Sequence, residues 1–340
     1  MLPSIWFCFE GIPSDLTLQE SRRFRGEAAM SEFARAEMRR FAPSRGTALT
    51  IGNFDGVHLG HQHLVRFLIE CAAASGLQPG AVTLYPDPVR VLRPQVPMQY
   101  LTSLEERLEL LQELGLEIVV PLTFTSELAE TAPRAFVAVL REELDMQLLV
   151  MGPDNAFGRN REGSPESMSQ IGAELGFEVA VMPVPLASEQ VTVSSTAIRK
   201  ALAEGDLRAV EALLGRRYSL RGPVVTGEER GRTLGFPTAN IGVTADRALP
   251  AFGIYATWAF VGETRHQSAT SIGVRPQFDG EHPSVETFIF DFDEDLYDQT
   301  LRIELVERLR PELKFESVDV LIKQMHADVE LSREILTGHS

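Results

Sequence analysis

"LTIGNFDGVHLGHQHLVRFL", residues 49–68, sets three of the chain's seven histidines between an apolar run and an apparent helix. The run "TALTIG" (47–52) reads as a strand, and "HQHLVRFLIECAAASG" (61–76) as a helix ended by Gly76. Asn53 to Gly60 then form a strand-to-helix turn, the place where open α/β sheets bind ligands. Free N–H groups at a helix start favour anions, and Gly56 and Gly60 let backbone approach a phosphate with no Cβ in the way. His58 and His61, three apart across the helix entrance, can donate to one set of oxygens. Two other readings compete. Zinc would want further ligands, and Cys8 and Cys71 stand far away without motif spacing. A plain polar loop explains any single histidine better than it explains two glycines, Asp55 and His-x-Gly-His together.

Working outward, the chain alternates strand-like and helical runs from residue 46. "GAVTLYP" (80–86), "EIVVPLTF", "QLLVMG" and "FEVAVMPVP" are apolar and strand-like. Between them lie helical runs, among them "SLEERLELLQELG" (103–115), with a Ser103–Glu106 capping box, and "APRAFVAVLREEL". Such alternation predicts a Rossmann-like parallel sheet covered on both faces. "SSTAIRKALAEGDLRAVEALLG" (194–215) reads as two short helices, after which the rhythm changes. "YSLRGPVV", "GIYATWAFVG", "HQSATSIG", "VETFIFDF" and "LRIELVE" are strands separated by turns, and "SVDVLIKQMHADVELSREIL" (317–336) is a helix. That pattern predicts a small antiparallel β-barrel with a C-terminal helix. The domains expected are an extension over 1–45, an α/β domain over 46–212 and a barrel domain over 213–340. Residues before about 44 fit no motif, and Met30 is an alternative start.

Composition bounds the partners. Formal charge is 32 − 48 = −16, which repels nucleic acid and anionic membrane surfaces over most of the molecule. Two cysteines make no disulfide framework, no apolar stretch reaches the ~18 residues of a membrane span, and a cytoplasmic protein is expected. Monomer or weak homo-oligomer is the expectation for assembly. Neither G-x-x-x-x-G-K-[ST] nor G-x-G-x-x-G occurs.

Two further stretches carry chemistry. "SSTAIR" offers N-cap hydroxyls at Ser194, Ser195 and Thr196 with Arg199 one turn on, an oxyanion grip or simply a cap. "GEERGRTLGFPTANIGV" (227–243) is Gly-rich and basic, able to cradle a polyphosphate around Gly231, Arg232, Gly235 and Pro237. Thr238 and Asn240, two apart, are neutral oxygen donors suited to Mg²⁺.

"GNFDGVHLGH", followed by "PDP" (86–88), "GPDNAFGRNREG" (152–163) and "VSSTAIRKAL" (193–202), resembles the HxGH nucleotidyltransferase superfamily. More narrowly it resembles the amino-terminal module of prokaryotic bifunctional riboflavin kinase/FMN adenylyltransferases. "FGIYA", "SIGVRPQF", "VETFIFDFDEDLYDQ" and "LRPELKFESVDVL" complete a resemblance to a riboflavin kinase domain. The resemblance spans roughly residues 46–338. It implies that riboflavin and ATP give FMN, and that FMN and ATP give FAD and pyrophosphate, with Mg²⁺. It implies that His58 and His61 stabilise charge at the α-phosphorus, with Gly52, Asn53, Phe54, Asp55, Gly56 and Gly60 around ATP. Ser194, Ser195, Thr196 and Arg199 would hold the departing pyrophosphate. Asp87, Asp154, Asn155 and Arg161 fall on the flavin or phosphate side. In the barrel, Thr238 and Asn240 would bind Mg²⁺–ATP, and Glu286 would accept the ribityl hydroxyl proton. The family commonly has Pro-His-Pro where this chain has Pro86-Asp87-Pro88, and Asp-Phe-basic-Phe-Gly where it has Asp154-Asn155-Ala156-Phe157-Gly158. A kinase with an impaired or altered nucleotidyltransferase half, and a non-catalytic flavin-binding protein, therefore stay open at this point.

Overall fold

The computed structural model describes residues 30–183, 193–226, 235–277 and 280–338. Residues 1–29 and the expected phosphate ligands Gly231 and Arg232 lie outside them. Five parallel strands form the first sheet: β1 (Thr47–Gly52), β2 (Gln78–Tyr85), β3 (Ile118–Thr123), β4 (Met146–Met151) and β5 (Glu178–Val181). Their order is β3-β2-β1-β4-β5. The chain winds from β1 toward β3 on one side and places β4 and β5 on the other. The topological switch point therefore falls at the carboxyl ends of β1 and β4.

The accompanying helices are α1 (Glu32–Arg39), α2 (Leu59–Ser75), α3 (Pro88–Leu92), α4 (Leu104–Glu113), α5 (Ser126–Ala129), α6 (Pro133–Leu144) and α7 (Pro165–Leu175). Both faces of the sheet are covered, which explains the nearly unbroken apolar strands. Leu49 and Ile51 of β1 join one core with Phe136 and Leu140 of α6. Ala48 joins the opposite core with Val65 and Leu68 of α2 and Leu111 of α4. Local signals set the ends: Gly76 closes α2 at φ 67°, and Ser103 and Glu106 form the expected reciprocal cap on α4. The segment after Met30, which showed no motif, is the amphipathic helix α1. It buries Met30, Ala34 and Met38, and its Arg35 and Arg39 pair with Glu143 of α6.

The second half contains α8 (Ser195–Glu204), α9 (Leu207–Leu214), β6 (Ser219–Val225), β7 (Ala239–Ile241), β8 (Gly253–Val261), β9 (Thr264–Gln277), β10 (Gly280–Ile289), β11 (Thr300–Arg310) and α10 (Val318–Thr337). The strands close into an antiparallel barrel of order β10-β7-β6-β11-β8-β9, with α10 packed on β8, β9 and β11. Sequence rhythm separates α8 and α9 from the barrel, but packing unites them. Ile198, Leu202, Val210 and Leu214 share one core with Leu220, Tyr255 and Leu301. The rhythm marks where secondary structure changes type, whereas the core follows apolar faces.

Polar contacts join the halves. Tyr100 N–H donates to Asp246 O at 2.7 Å, and Ala248 N–H donates to Tyr100 O at 2.8 Å. Arg247 forms a buried ion pair with Glu106, and Arg90 pairs with Asp246.

Candidate active site

The turn after β1 holds an unusual backbone. Phe54, Gly56 and Val57 have φ of 52°, 81° and 40°. A β-branched residue in the left-handed region is strained and persists only where neighbours fix it. A Cβ on Gly56 would stand 2.8 Å from Leu101 Cδ1, so glycine is required there for space as well as for φ. Helix α2 begins at Leu59, two residues before the sequence suggested, because His58 is its N-cap: His58 Nδ1 accepts the His61 N–H at 3.3 Å. That acceptor role places the neutral imidazole's proton on Nε2. The two rings stack with centroids 3.6 Å apart, and Phe54 meets His61 edge-on at 5.2 Å. His61 Nδ1 is buried and has no protein partner among the described residues. Such an orphan in a polar turn is what a ligand or water satisfies. Burial pushes His58 down to about 4, and burial with the His58 and Arg107 charges pushes His61 well below its ordinary value. Both rings are therefore neutral near pH 7, and a neutral imidazole still donates one N–H.

Asp55, 2% exposed, is the centre of the arrangement. Its carboxylate accepts from Leu101 N–H at 3.0 Å and Thr102 N–H at 3.2 Å, and pairs with Arg107 at 3.4 Å and with Arg199. Ser195 Oγ donates to Asp55 O at 2.9 Å, and Ser194 caps α8 by accepting from Ala197 N–H. Thr196 is exposed in the first turn of α8. The "GVHLGH" and "SSTAIR" stretches thus meet: Ser195 at the start of α8 bonds the Asp55 carbonyl, while Arg199 is anchored to the Asp55 carboxylate and to Gln99 O at 2.6 Å. Asp55, expected around ATP, turns its carboxylate toward two arginines.

The remaining expected residues ring the same strand ends. Gly52 closes β1, and Asn53 donates to Asp87 Oδ2 at 2.9 Å. Asp87 is buried, caps α3 by accepting from Val89 N–H at 2.8 Å, and burial raises its pKa. Asn155 donates to Ile51 O at 3.1 Å across the β1–β4 switch point. Asp154 and Arg161 are exposed beside it, Arg161 reaching Asp154 O at 3.5 Å. Gly60 lies within α2, where a Cβ would press the His58 ring at 3.3 Å. His63, for which no role was expected, is exposed one turn on.

Two cavities of the barrel domain meet at Thr238. One, about 310 Å³, is walled by Phe236, Phe288, Phe315, Leu321 and Met325 and includes Glu286. The other, about 470 Å³, includes Pro237, Asn240, Asp293, Asp295 and Tyr297. Thr238 lines both. Asn240 and Glu286 face each other in the β7–β10 ladder, so the donor pair and the carboxylate sit side by side. Ser284 Oγ donates to Glu286 at 3.1 Å. Gly235 lies just before, in the left-handed region at φ 85°. Arg310 at the end of β11 pairs with Asp328 of α10 at 2.7 Å, joining barrel and helix, and both line the first cavity with Phe315. Trp258 is buried, and Tyr297 is a half-exposed rim residue.

Sequence reading missed Arg107, Arg216 and Tyr100. Arg107 is fully buried between Asp55 and the rings of Tyr85 and Tyr100. Arg216 donates to Gly56 O at 2.7 Å and Val57 O at 3.2 Å. A lone arginine on a helix or after a glycine carries no pattern, so no sequence signal points to either.

A histidine-bearing turn at the switch point of a parallel sheet, joined to a barrel with its own pair of cavities, fits a two-site nucleotide-using transferase. The chain belongs to the bifunctional riboflavin kinase/FMN adenylyltransferase family. Residues 41–197 match the FAD synthetase family and residues 214–336 the riboflavin kinase family. A bifunctional riboflavin kinase/FMN adenylyltransferase of Listeria monocytogenes is 38% identical over 289 residues, 84% of this chain and 91% of the relative. One of Escherichia coli is 35% identical over 295 residues, 86% of this chain and 94% of the relative. A crystal structure described as a macrolide-efflux protein from Streptococcus pneumoniae superposes with a TM-score of 0.79 at 32% identity, covering 87% of this chain and 96% of that one. Among the described residues no helix is long and apolar enough to cross a membrane.

Proposed function

We propose that the barrel phosphorylates riboflavin with ATP and that the α/β site adenylylates FMN, releasing pyrophosphate. The reading of the α/β half rests on one observation, the convergence of the α2 and α8 N-termini with His58, His61 and Arg199 around Asp55. The chemistry needs no protein nucleophile, since a terminal phosphate oxygen of FMN is already ionised. It attacks the α-phosphorus of ATP, the bond from that phosphorus to the bridging oxygen breaks, and pyrophosphate leaves. What remains for the protein is positioning and charge stabilisation. His58 Nε2–H, His61, and the α2 and α8 N–H groups are the donors assigned to the α-phosphate and the leaving group. Asp55 holds Arg199 in place for pyrophosphate. Asp87, in the family's usual histidine position, is already engaged by Asn53 and Val89. It therefore adds little bare repulsion near the phosphates.

In the barrel, Thr238 at the junction of the two cavities supports phosphoryl transfer between them. The aromatic-walled cavity suits an isoalloxazine ring, and the polar one a nucleotide. Glu286 is assigned as acceptor of the 5′-hydroxyl proton while that oxygen attacks the γ-phosphorus, whose bond to the β–γ bridging oxygen breaks as ADP leaves. Among the described residues no group of three acid, histidine or cysteine side chains could hold a resident metal. Thr238 and Asn240 give two neutral oxygens, which fits Mg²⁺ arriving with ATP and completing its shell from phosphates and water. Held by Thr238 and Asn240, the ion would neutralise phosphate charge. We further assign small-molecule partners only and a cytoplasmic setting.

Chromatography of products from riboflavin, ATP and Mg²⁺ tests the whole scheme. FMN appearing first and FAD after it is expected. FMN alone under all conditions would remove the adenylyl-transfer half, and neither product would leave a flavin-binding protein.

A further inference from the structure

The strained turn that carries His58 is held from outside its own domain. Val57, at φ 40°, has a peptide carbonyl on each side of it, Gly56 O before and Val57 O after. Arg216 takes both, through Nη2 and Nη1, and Gln62 Nε2 adds a second bond to Val57 O at 3.0 Å. To relax Val57 into an ordinary conformation, both peptide planes must turn, and one guanidinium opposes both rotations. Arg216 is buried enough that its own pKa is lowered, yet among the described residues it forms no ion pair with a carboxylate. Its donors are spent on main-chain carbonyls. The position is fixed by the end of α9: Gly215 is its cap, and a Cβ there would come 2.5 Å from Leu59 Cδ2 at the start of α2. Gln62 also donates to Leu214 O at 2.7 Å, tying α2 to α9. Because α8 and α9 share the barrel core, the helix end that carries Arg216 belongs to the barrel side. With their carbonyls drawn toward Arg216, the residues that follow leave the Leu59 and Gly60 N–H groups without an acceptor among the described residues. Those are helix-start donors suited to a phosphate.

We propose that Arg216, at the junction of the two halves, is a positioning residue for adenylyl transfer. It pins the Gly56 and Val57 carbonyls so that the strained turn presents His58 and the α2 N-terminus to the phosphates of ATP. The proposal rests on the adenylyl-transfer reading. It makes that site complete only with the barrel domain docked.

Both half-reactions are measured on full-length wild type, Arg216→Lys and Arg216→Ala, with thermal unfolding of each. Arg216→Ala is expected to lower kcat for FAD formation about 10²-fold with a smaller change in KM for ATP, while riboflavin phosphorylation in the same sample stays within about twofold. Arg216→Lys should fall between, since an ammonium cannot match the planar fork to two carbonyls. Added guanidinium ion should restore part of the activity of Arg216→Ala. FAD formation unchanged in Arg216→Ala, or equal loss of both reactions in a folded Arg216→Lys protein, would overturn the proposal. Should Arg216→Ala not fold, the Lys variant alone decides by the same split. A wild type that makes FMN but never FAD would instead remove the underlying reading, and this role with it.

Discussion

His58 and His61 stack face to face, 3.6 Å between ring centroids and 15° from parallel, while His58 Nδ1 caps the helix that His61 begins to build. One side chain thus ends a strained turn and keeps Nε2–H for the donor role proposed above. The two roles separate by substitution. His58→Asn keeps a capping oxygen, so stability should change by less than about 1 kcal/mol. FAD formation should nonetheless fall about 10²- to 10³-fold, the usual cost of removing one oxyanion donor. Thermal unfolding and product chromatography read the two effects. An Asn variant with full FAD output would rule out the donor role.

The same burial predicts acid sensitivity. A histidine in the unfolded chain titrates near 6.5, whereas burial keeps His58 neutral down to about 4. Between these values the unfolded chain binds a proton that the native state refuses. Stability is therefore complete above the unfolded value and is lost as pH falls toward the folded one, by on the order of 3 kcal/mol from His58 alone. Urea unfolding near about pH 7 and about pH 4.5 should show this loss, with a shallower dependence in His58→Asn. Identical slopes in the two proteins would refute the assignment.

Glu286→Gln keeps the shape of the cavity wall and the partner of Ser284 but removes the carboxylate proposed as proton acceptor. Riboflavin phosphorylation should drop about 10²- to 10⁴-fold. Adenylylation of supplied FMN should be untouched, since Glu286 lies in a barrel strand and His58 at the start of α2. Parallel loss of both reactions would contradict separate sites.

At the domain contact, Glu106 and Arg247 are both buried and paired through two oxygens, with Arg247 also donating to Ser219 O at 2.8 Å. Glu106→Ala leaves the guanidinium buried without its counter-charge. A loss of about 3–5 kcal/mol in urea unfolding is expected, well above that of an exposed pair. Glu109→Ala, which removes the exposed partner of Arg221, serves as the comparison and should cost under about 1 kcal/mol. Equal effects would mean that the buried latch is not holding the halves together.

The α/β alternation, the barrel strands and the Ser103–Glu106 cap were legible because each is written within a few consecutive residues, in periodicity and turn chemistry. So was the strand-to-helix turn at "GNFDGVHLGH". The start of α2 was displaced by two residues because a histidine, absent from the usual capping residues, serves as N-cap through its ring nitrogen. The segment 30–45 showed no motif because its helix is short and its apolar face of Met30, Ala34 and Met38 has meaning only against the sheet.

Sequence by itself determined the element types, the two-part organisation and the family, since local patterns and motif residues are properties of the chain alone. Only the tertiary structure decided that Asp55 pairs with two arginines, that α8 belongs to the barrel core while its Ser195 reaches the turn after β1, and that Arg216 binds the carbonyls of the histidine turn. Those contacts join residues 144 and 160 positions apart. They depend on which buried charge finds which partner when apolar faces close, and no spacing along the chain encodes that outcome.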